Sequence, residues 1–468
     1  MNESSSNFDH ISQREGGLRR ALSTGQLSMI AIGGAIGTGL FLGSAFAIGS
    51  AGPSVLISYA IGAVIALLLM GCLAEMSVAH PTAGSFGDWA EFYISPLAGF
   101  LVRYSYWSAA ALAVGTEVTA VAVYMKFWYP GVPGWIWVIG FSAALILINC
   151  FHVKAFGAIE YSFSALKVTA ILVFLALGSW VVYSAAPGAG IGFSNYVSHG
   201  GFFPHGFRGT WVGVIIALFS YFSLEAVAIA AGEASDPNRA IVRAFRLTLG
   251  RLVLFYLLTL TLVLAIVPWT LAGSTESPFV KVMVASHLRG AAGIMNFVIL
   301  IASLSAMNSQ IYSTARIMFS LSRGGYAPRW VGKLNAHGAP VAALALSCLG
   351  IAVAAVLNAW KPAVAFPIMI AISIFGAMFA WLMIFVTHFF FRRRHAGEKL
   401  VFRMWGYPYA NIAGAGLMAS AMITTLFTRE FHMTLLYGIP SLVVLALCYL
   451  CLRPRTVADA LPVSSERS

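Results

Sequence analysis

The sequence predicts an all-α integral membrane protein with twelve transmembrane helices, and three observations support this fold class. Only 28 Lys and Arg and 16 Asp and Glu occur among 468 residues. Charged residues are therefore 9% of the chain, where a soluble globular protein has roughly 25%. Apolar residues make up 59%, and the mean hydropathy is +0.84. The apolar residues form continuous runs without an alternating pattern, which favours helices over a membrane β-barrel.

Twelve apolar segments are long enough to cross a bilayer as helices, which takes about 20 residues at a rise of about 1.5 Å each. They lie at 27–49, 53–79, 97–125, 133–151, 159–184, 210–231, 251–272, 290–318, 340–359, 363–388, 410–428 and 434–452. This composition excludes a soluble, fibrous or disordered protein. The polar residues before the first segment lack the pattern of a secretory signal, so we expect that segment to remain in the protein.

The Lys and Arg residues between the segments predict the orientation in the membrane. With the N-terminus in the cytoplasm, 20 of them fall on the cytoplasmic side. Six fall on the outer side: Lys126, Arg208, Lys281, Arg289, Lys361 and Arg429. We therefore expect a multi-pass protein of the inner (plasma) membrane with both termini in the cytoplasm. The net charge of +12 then belongs to one membrane face, so the expected partner is the lipid bilayer and no nucleic acid.

Six of the ionisable residues in the apolar segments are candidates for a function, because each costs about 2.5–3.5 kcal/mol to insert and needs a partner or a function. They are Glu75, Glu117, Glu160, Glu225, Lys167 and Arg316. Glu75, Glu160 and Arg316 lie near segment ends, which favours snorkelling or structural pairing. Glu117, Glu225 and Lys167 lie deeper, and we expect them to be functional.

Five glycines fall within eleven residues of the first segment, and each costs about 1 kcal/mol of helix propensity relative to alanine. They are Gly33, Gly34, Gly37, Gly39 and Gly43. One explanation is close packing, because the pairs 33/37 and 39/43 have the spacing of small residues at helix contacts. The other is a discontinuous helix, whose unwound backbone frees N–H groups that bind a carboxylate. The position of the cluster in mid-segment, with the hydroxyl of Thr38 inside it, favours the discontinuous helix.

An inverted repeat would place a second break five segments later, at the matching position of the sixth segment. That segment reads Phe219-Ser220-Tyr221-Phe222-Ser223-Leu224-Glu225 and has no glycine at its centre. Only the two serines and Glu225 indicate an interruption there.

Seven motifs occur in order along the chain and carry a family resemblance. They are Gly33-Gly34-Ala35-Ile36-Gly37-Thr38-Gly39-Leu40-Phe41, the stretch from Glu75 to Phe86 with Pro81, Gly84 and Ser85, Glu117-Val118-Thr119-Ala120, Lys167, Ala231-Gly232-Glu233 with Asp236-Pro237, Pro268-Trp269, and Ser305-Ala306-Met307-Asn308-Ser309 leading to Tyr312 and Arg316. From Leu22 to about Arg453 the chain resembles the amino acid–polyamine–organocation superfamily. Within it, the chain is similar to the bacterial proton-coupled amino acid permeases.

The resemblance implies a LeuT-like fold, in which five spans are repeated in inverted orientation and the first and sixth helices are broken. Two peripheral helices would follow. The implied organisation is a cytoplasmic tail at 1–24, a first repeat at 25–208, a second repeat at 209–390, the last two helices at 391–453 and a cytoplasmic tail at 454–468.

The resemblance also implies that an amino acid binds between the two breaks. The implied substrate-binding residues are Ala35, Ile36, Gly37, Thr38, Gly39, Phe219, Phe222, Ser223 and Glu117. Backbone amides of Gly37, Thr38 and Gly39 would bind the substrate carboxylate. Backbone carbonyls of Ala35, Phe219 and Phe222 would bind its ammonium, with the ring of Phe219 as a lid.

The chain departs from the family pattern at two places that bear on the pocket. Many relatives have two glycines where this chain has Phe222 and Ser223, and these larger residues should narrow the pocket. Relatives also have bulkier or amide-bearing residues where this chain has Ser108, Ala109 and Ala110, which should open space at the third span if those residues approach the pocket.

No nucleotide-binding motif occurs, so we expect no cofactor and no ATPase subunit, and the energy must come from an ion gradient or from exchange. In related carriers an ammonium on the fifth helix takes the place of a sodium ion, and Lys167 matches that position. A desolvated lysine that loses and regains its proton is a sufficient proton carrier. The resemblance thus predicts a proton symporter with Lys167, Glu117 and Glu225 as coupling residues; the alternative for Lys167 is a permanent cationic strut.

Glu117 leaves the substrate class open, because it can pair with a distal ammonium of the substrate or complete a buried proton network. We expect a neutral aliphatic or aromatic amino acid. The alternatives are a permease for lysine or ornithine, an amino acid exchanger and a non-transporting sensor. We do not expect an enzyme or a metal site, because the histidines lie mostly in loops without the spacing of metal ligands.

Overall fold

The computed structural model describes residues 36–150, 153–186, 188–231, 237–273, 276–286, 288–335, 338–429 and 431–452, with Phe8, Ile11, Ser23, Gly25 and Met29. Ala35 and most of the two predicted tails lie outside the described residues. Within the described residues the protein is helical and has no β strand. This agrees with the predicted all-α fold class.

The first half of the chain begins with a π-helical stretch, Gly39–Gly43, that leads directly into the first α-helix. The α-helices of this half are α1 (Ser44–Ala51), α2 (Val55–Ala79), α3 (Ser85–Tyr93), α4 (Pro96–Met125), α5 (Gly134–Cys150), α6 (Val153–Ser184), α7 (Gly206–Tyr221) and α8 (Ala226–Ala230). Helix α3 is a short amphipathic helix between two longer apolar ones.

The second half is helical as well, with helices of four to 33 residues. They are α9 (Pro237–Arg251), α10 (Thr259–Ile266), α11 (Trp269–Ala272), α12 (Pro278–Ala285), α13 (Ala291–Arg323), α14 (Val341–Ser347), α15 (Leu349–Trp360), α16 (Ala365–Arg394), α17 (Tyr409–Thr424) and α18 (His432–Leu452). A π-helical stretch, Leu252–Leu258, joins α9 to α10 without a gap.

Nine helical stretches in the described part of the chain are long and apolar enough to cross a membrane. Two shorter apolar helices, Gly134–Asn149 and Leu254–Ile266, accompany them. The longest stretch, Gly39–Ala79, is interrupted at Gly52, where φ is +67°. A Cβ atom at this position would lie 2.2 Å from the ring of Pro204, so only glycine fits both the backbone conformation and the space.

The helices form two groups that meet around the glycine cluster of the first apolar segment. Helix α4 is the centre of one group and packs against α13, α15 and α16. Helix α7 is the centre of the other and packs against α1 and α2. The most apolar stretch of α7 and α8 is 100% buried inside the protein, whereas the corresponding stretch of α18 is only 17% buried. The interior of the fold therefore lies between α4 and α7, and α18 faces outward.

The seventh apolar segment begins earlier in the structure than the predicted 251–272. The helix runs from Pro237 to Ile266, because α9 extends it by about four turns at its start. This extension contains Arg239, Arg243 and Arg246, which hydropathy excludes from a membrane span. The helix ends before Val267, whose extended conformation is the one favoured before a proline.

Candidate functional site

The first apolar segment is interrupted within its glycine cluster. Met29 is helical, Ile36 and Gly37 form a bend, and the helix resumes at Thr38. The carbonyl oxygen of Gly37 accepts hydrogen bonds from the amides at positions 40 and 41 in the new helical turn. The Thr38 amide donates a hydrogen bond of 3.2 Å to Oε2 of Glu117. In this structure Glu117 thus takes an amide that we predicted for a substrate carboxylate, since a helix N-terminus attracts any nearby carboxylate.

The sixth apolar segment is interrupted too, between the end of α7 at Tyr221 and the start of α8 at Ala226. Ser223 lies in the gap with a φ of +80°, in the left-handed region that favours glycine. Its amide donates to Oε1 of Glu225 at 3.2 Å. The carbonyl oxygen of Phe222 receives no hydrogen bond from the described residues. The break therefore leaves a buried carbonyl without a donor among the described residues, and a carbonyl of this kind can bind an ammonium.

The conformation of Ser223 predicts that Ser223→Gly stabilises the protein. Glycine adopts a positive φ at no steric cost, whereas other residues pay of order 1 kcal/mol or more. We expect a higher melting temperature in detergent, with a gain of about 0.5–1 kcal/mol in the free energy of unfolding. The control is Ser223→Ala, which removes the same hydroxyl but keeps the unfavourable φ. A glycine variant that melts no higher than the alanine variant would contradict this prediction.

Ser220, in the last turn of α7, joins the residues next to the two breaks. Its Oγ lies 2.8 Å from the carbonyl oxygen of Gly39 and 2.9 Å from the hydroxyl of Tyr59. The hydroxyl of Tyr256 donates to the Ser220 carbonyl at 2.8 Å. A Cβ atom at Gly39 would lie 2.5 Å from Cα of Ser220, whereas one at Gly43 would meet its nearest atom at 3.6 Å. Close packing therefore explains Gly39, and the described backbone is bent at 36–37, just before it.

Lys167 connects α6 to the first break. The side chain is fully buried, and its Nζ donates to the carbonyl oxygen of Ile36 at 3.0 Å. Glu117 and Glu160 are the carboxylates whose charges act on this ammonium. Two predicted coupling residues, Lys167 and Glu117, thus both contact the unwound backbone of the first helix.

Glu225 occupies the second break rather than the first. It is fully buried at the N-terminus of α8. Its Oε1 accepts from the Ser223 amide, and its Oε2 has no hydrogen-bond partner among the described residues. The structure thus separates the predicted coupling residues into one pair at the first break and one carboxylate at the second.

The remaining buried ionisable residues have local partners. Glu75 forms an ion pair with Arg392 at 2.8 Å and contacts Nε2 of His388 at 3.0 Å. The guanidinium of Arg316 lies 4.2 Å from the ring centroid of Tyr312. Structural pairing, expected for residues near segment ends, therefore describes both.

Sequence analysis missed a buried ion cluster next to α3. Arg103 on α4 donates to the carboxylates of Asp88 and Glu91, the latter at 2.6 Å. Arg103 is 1% exposed. The signal available in the sequence was the pair of acids three residues apart on an amphipathic helix, but their partner could not be identified from spacing. The cluster fixes α3 to α4.

A small apolar cavity of about 10 Å³ lies beside the second break, with room for about one water molecule. Its lining residues come from α7, the break and α16: Leu218, Phe219, Phe222, Ser373, Ile374, Ala377, Met378 and Trp381. None of these residues carries a charge. Any larger ligand requires this cavity to widen, and Phe222 is the lining residue placed in the break itself.

A larger cavity of about 470 Å³ opens at the end of α4 that is predicted to face outward. Leu42 from the first helix and Lys126, Glu276 and Lys281 are among its lining residues. Burial lowers the pKa of Lys281, and the charge of Glu276 opposes this change. The cavity therefore lies next to the first helix, just beyond its bend, and its lining carries charges of both signs.

Comparisons with known proteins cover nearly the whole chain. A family model described as amino acid permease matches residues 26–456. The uncharacterized amino acid permease YtnA of Bacillus subtilis is 35% identical over 438 residues, or 92% of this chain and 95% of the relative. The gamma-aminobutyric acid permease of the same species is 36% identical over 468 residues, or 98% and 99%. The aromatic amino acid transport protein AroP of Escherichia coli K12 is 37% identical over 436 residues, or 92% and 95%.

Proposed function

The chain belongs to the amino acid permease family, whose members are membrane transporters and not enzymes, and we propose that it couples the uptake of a neutral L-amino acid to the entry of protons. The family match confirms the resemblance carried by the sequence motifs. The protein is thus an integral membrane amino acid permease; its coupling ion, its substrate and the finer points of its fold are the subject of the proposal.

The proposed fold has twelve spans in a LeuT-like arrangement, with repeats at 25–208 and 209–390 and both termini in the cytoplasm of an inner-membrane protein. Counting Gly39–Ala79 as two crossings, because it is interrupted at Gly52, and including the two shorter apolar helices brings the number to twelve. The two helix breaks, at 36–37 and 222–225, support an inverted repeat because they lie in the first and sixth of these spans.

The observation that carries the proposed mechanism is the pair of contacts at the first break. The Thr38 amide donates to Glu117, and Lys167 donates to the carbonyl of Ile36. A substrate carboxylate bound at the amides of this break would lie beside the carboxylate of Glu117. Two carboxylates this close repel each other, and protonation of one of them removes the repulsion. Substrate and proton would therefore bind together.

Lys167 supplies the second part of the mechanism. Its ammonium holds the unwound carbonyl of Ile36 in a fully buried position. A buried lysine that becomes accessible to the cytoplasm can exchange its proton with water. Release of substrate and release of the proton would then follow the same opening of the site.

A neutral substrate is supported by the cavity at the second break, whose lining residues are all uncharged. Relatives named for the transport of aromatic amino acids and gamma-aminobutyric acid support a substrate without a cationic side chain. The contact between Glu117 and the Thr38 amide supports a role for Glu117 at the break rather than in binding a distal ammonium.

The proposal is tested by uptake into proteoliposomes that contain the purified protein. Melting temperatures with each of the twenty amino acids first identify the ligand, because a ligand that binds the folded state raises its stability. Uptake of the labelled ligand is then measured under an inward pH gradient and, separately, under an inward sodium gradient at equal pH. We expect accumulation with the pH gradient only.

Each alternative function has a distinct outcome in this assay. Accumulation that requires sodium would show that protons are not the coupling ion. Uptake only into vesicles preloaded with an amino acid would show an exchanger, and binding without uptake would show a sensor. Stabilisation by lysine or ornithine alone would show a cationic substrate.

Phe222→Gly should admit larger substrate side chains. The ring of Phe222 lines the cavity and lies 5.7 Å from that of Tyr106, centroid to centroid. Its removal should improve binding of bulky ligands relative to small ones by roughly 1–3 kcal/mol, the scale on which apolar pockets discriminate size. Binding isotherms of leucine and phenylalanine to wild type and variant measure this change. An unchanged ratio of the two affinities would mean that Phe222 does not limit the pocket.

The companion variant Glu117→Gln separates the two substrate classes. A neutral substrate should still bind to it, because the amides of the first break remain. If Glu117 instead binds a distal ammonium, the change would strand a buried cation and weaken lysine binding selectively, by several kcal/mol. Such a selective loss would contradict the proposal that the substrate is a neutral amino acid.

A further inference from the structure

Glu160 is a buried carboxylate that the proposed mechanism does not use. It is fully buried on α6, seven residues before Lys167. Seven residues are about two turns of helix, so the two side chains lie on the same face, about 10 Å apart along the axis. Under the predicted orientation Glu160 is on the cytoplasmic side of Lys167.

The Glu160 carboxylate accepts hydrogen bonds from two side chains of α13, Ser305 and Asn308. Its Oε1 accepts from the hydroxyl of Ser305 at 2.5 Å and lies 3.3 Å from that of Ser164. Its Oε2 accepts from Nδ2 of Asn308 at 3.3 Å. An ionised carboxylate is an acceptor only, so this set of partners matches a site built for the charged form.

A second layer of contacts orients these donors. The side chain of Asn149 on α5 donates to Oδ1 of Asn308 at 2.7 Å, which turns the amide nitrogen of Asn308 towards Glu160. The hydroxyl of Ser164 donates to the carbonyl oxygen of Met29 at 3.0 Å. The cluster thus joins α5, α6 and α13 to the first apolar segment and keeps the carboxylate in place.

Few other charges face this region in the described part of the chain. Helices α5, α10 and α13 pack against α6, and α5 and α10 contain no acidic or basic side chain. The charged groups of α13 are Arg316 and Arg323, which follow Asn308 by two or more helical turns. From α4, Glu117 approaches Lys167 at the first break. In the described part of the chain, Glu160 and Glu117 are therefore the two carboxylates whose charges act on the Lys167 ammonium.

The two anions differ in what they contact. Glu117 binds an amide of the break, where we place the substrate carboxylate, so its charge changes when substrate and proton bind. Glu160 instead accepts from Ser305 and Asn308, which are side chains of α13, and, among the described residues, from no backbone amide of a break. We do not place the substrate carboxylate at Glu160. When Glu117 is protonated, Glu160 is the anion that remains to balance Lys167.

We propose that Glu160 is a positioning residue for proton coupling, a fixed anion that stabilises the buried ammonium of Lys167 while substrate is bound. The inference rests on the proposed role of Lys167. Its physical basis is the cost of an uncompensated buried charge, which a fixed counter-charge lowers.

The test is the pH dependence of uptake by Glu160→Gln in proteoliposomes. Without the fixed anion, Lys167 binds its proton less tightly, so the pH of half-maximal uptake should shift by about one unit towards acid. The matched control is Glu91→Gln, which also removes a buried carboxylate but leaves Arg103 paired with Asp88. Its pH profile should coincide with that of wild type.

The wild-type profile and the variant profile test different claims. Wild-type uptake that does not respond to a pH gradient would overturn the proposed function and this inference with it. If wild type responds and Glu160→Gln has the same profile, the inference alone is overturned and Glu160 is structural. An equal shift in Glu91→Gln would also overturn it, because the effect would not be specific to this site.

A second variant keeps the inference testable if Glu160→Gln does not fold. Ser305→Ala removes the shortest hydrogen bond to the carboxylate but leaves the carboxylate itself. A carboxylate that loses a charge-assisted hydrogen bond is held less firmly in place, so this variant should show a smaller shift in the same direction. An unchanged profile for Ser305→Ala in that case overturns the inference.

Discussion

Replacing Lys167 with alanine is expected to abolish accumulation driven by a pH gradient while part of the substrate binding remains. The ammonium that contacts the carbonyl of Ile36 is the group we place in the proton cycle. The amides and carbonyls of the two breaks, which we expect to bind the substrate, belong to the backbone and remain in the variant. Proteoliposome uptake measures the first effect, and ligand-induced stabilisation in detergent measures the second.

Two further variants distinguish a proton carrier from a permanent cation at this position. Lys167→Arg keeps the charge but cannot lose its proton, so a carrier should fail in this variant and a cationic strut should not. Lys361→Ala removes an exposed lysine from the loop before α16 and should accumulate substrate as wild type does. Full proton-driven uptake by Lys167→Ala would show that coupling lies elsewhere, and uptake by Lys167→Arg would favour the strut.

Hydropathy predicts the apolar helices well where their interiors are uniform. The third segment was expected at 97–125, and α4 runs from Pro96 to Met125. The prediction is less good at the seventh segment. There the helix already begins with α9, whose polar residues have too low a hydropathy to be included in a membrane span. In that region α9 packs against α2, a contact that hydropathy does not register.

Only part of the site can be predicted from the sequence. The parts that depend on local residue type are predicted, and the contacts between residues far apart in the chain are not. The glycines at 37 and 39 predict the first break, because glycine lowers the local stability of a helix. The second break has Ser223 where glycine would be favoured, so the sequence there carries little of that signal, and the φ of +80° is visible only in the structure. The donors to Glu160 lie 145 and 148 residues away in the chain, and no local pattern indicates that they meet.

Gly39→Ala is expected to remove the binding of every amino acid alike, and Gly39→Val should have the same effect. The added Cβ would lie 2.5 Å from Cα of Ser220 and 3.1 Å from its amide nitrogen. Both are backbone atoms, which cannot rotate away as a side chain can. Overpacking of this kind costs typically 1–3 kcal/mol even where a core adjusts. The adjustment here must separate the two breaks, and these are the elements between which we place the carboxylate and the ammonium common to all amino acids.

The control for this prediction lies four residues further along the same helix. A Cβ at Gly43 would meet ordinary contacts, the nearest at 3.6 Å, so Gly43→Ala should bind ligands and melt as wild type does. Size-exclusion chromatography of both variants checks that they remain folded, and ligand-induced shifts in melting temperature measure binding. A Gly39→Ala protein that loses some amino acids and keeps others would mean that this position shapes a side-chain pocket. One that binds all of them normally would mean that the two breaks do not need to lie in contact.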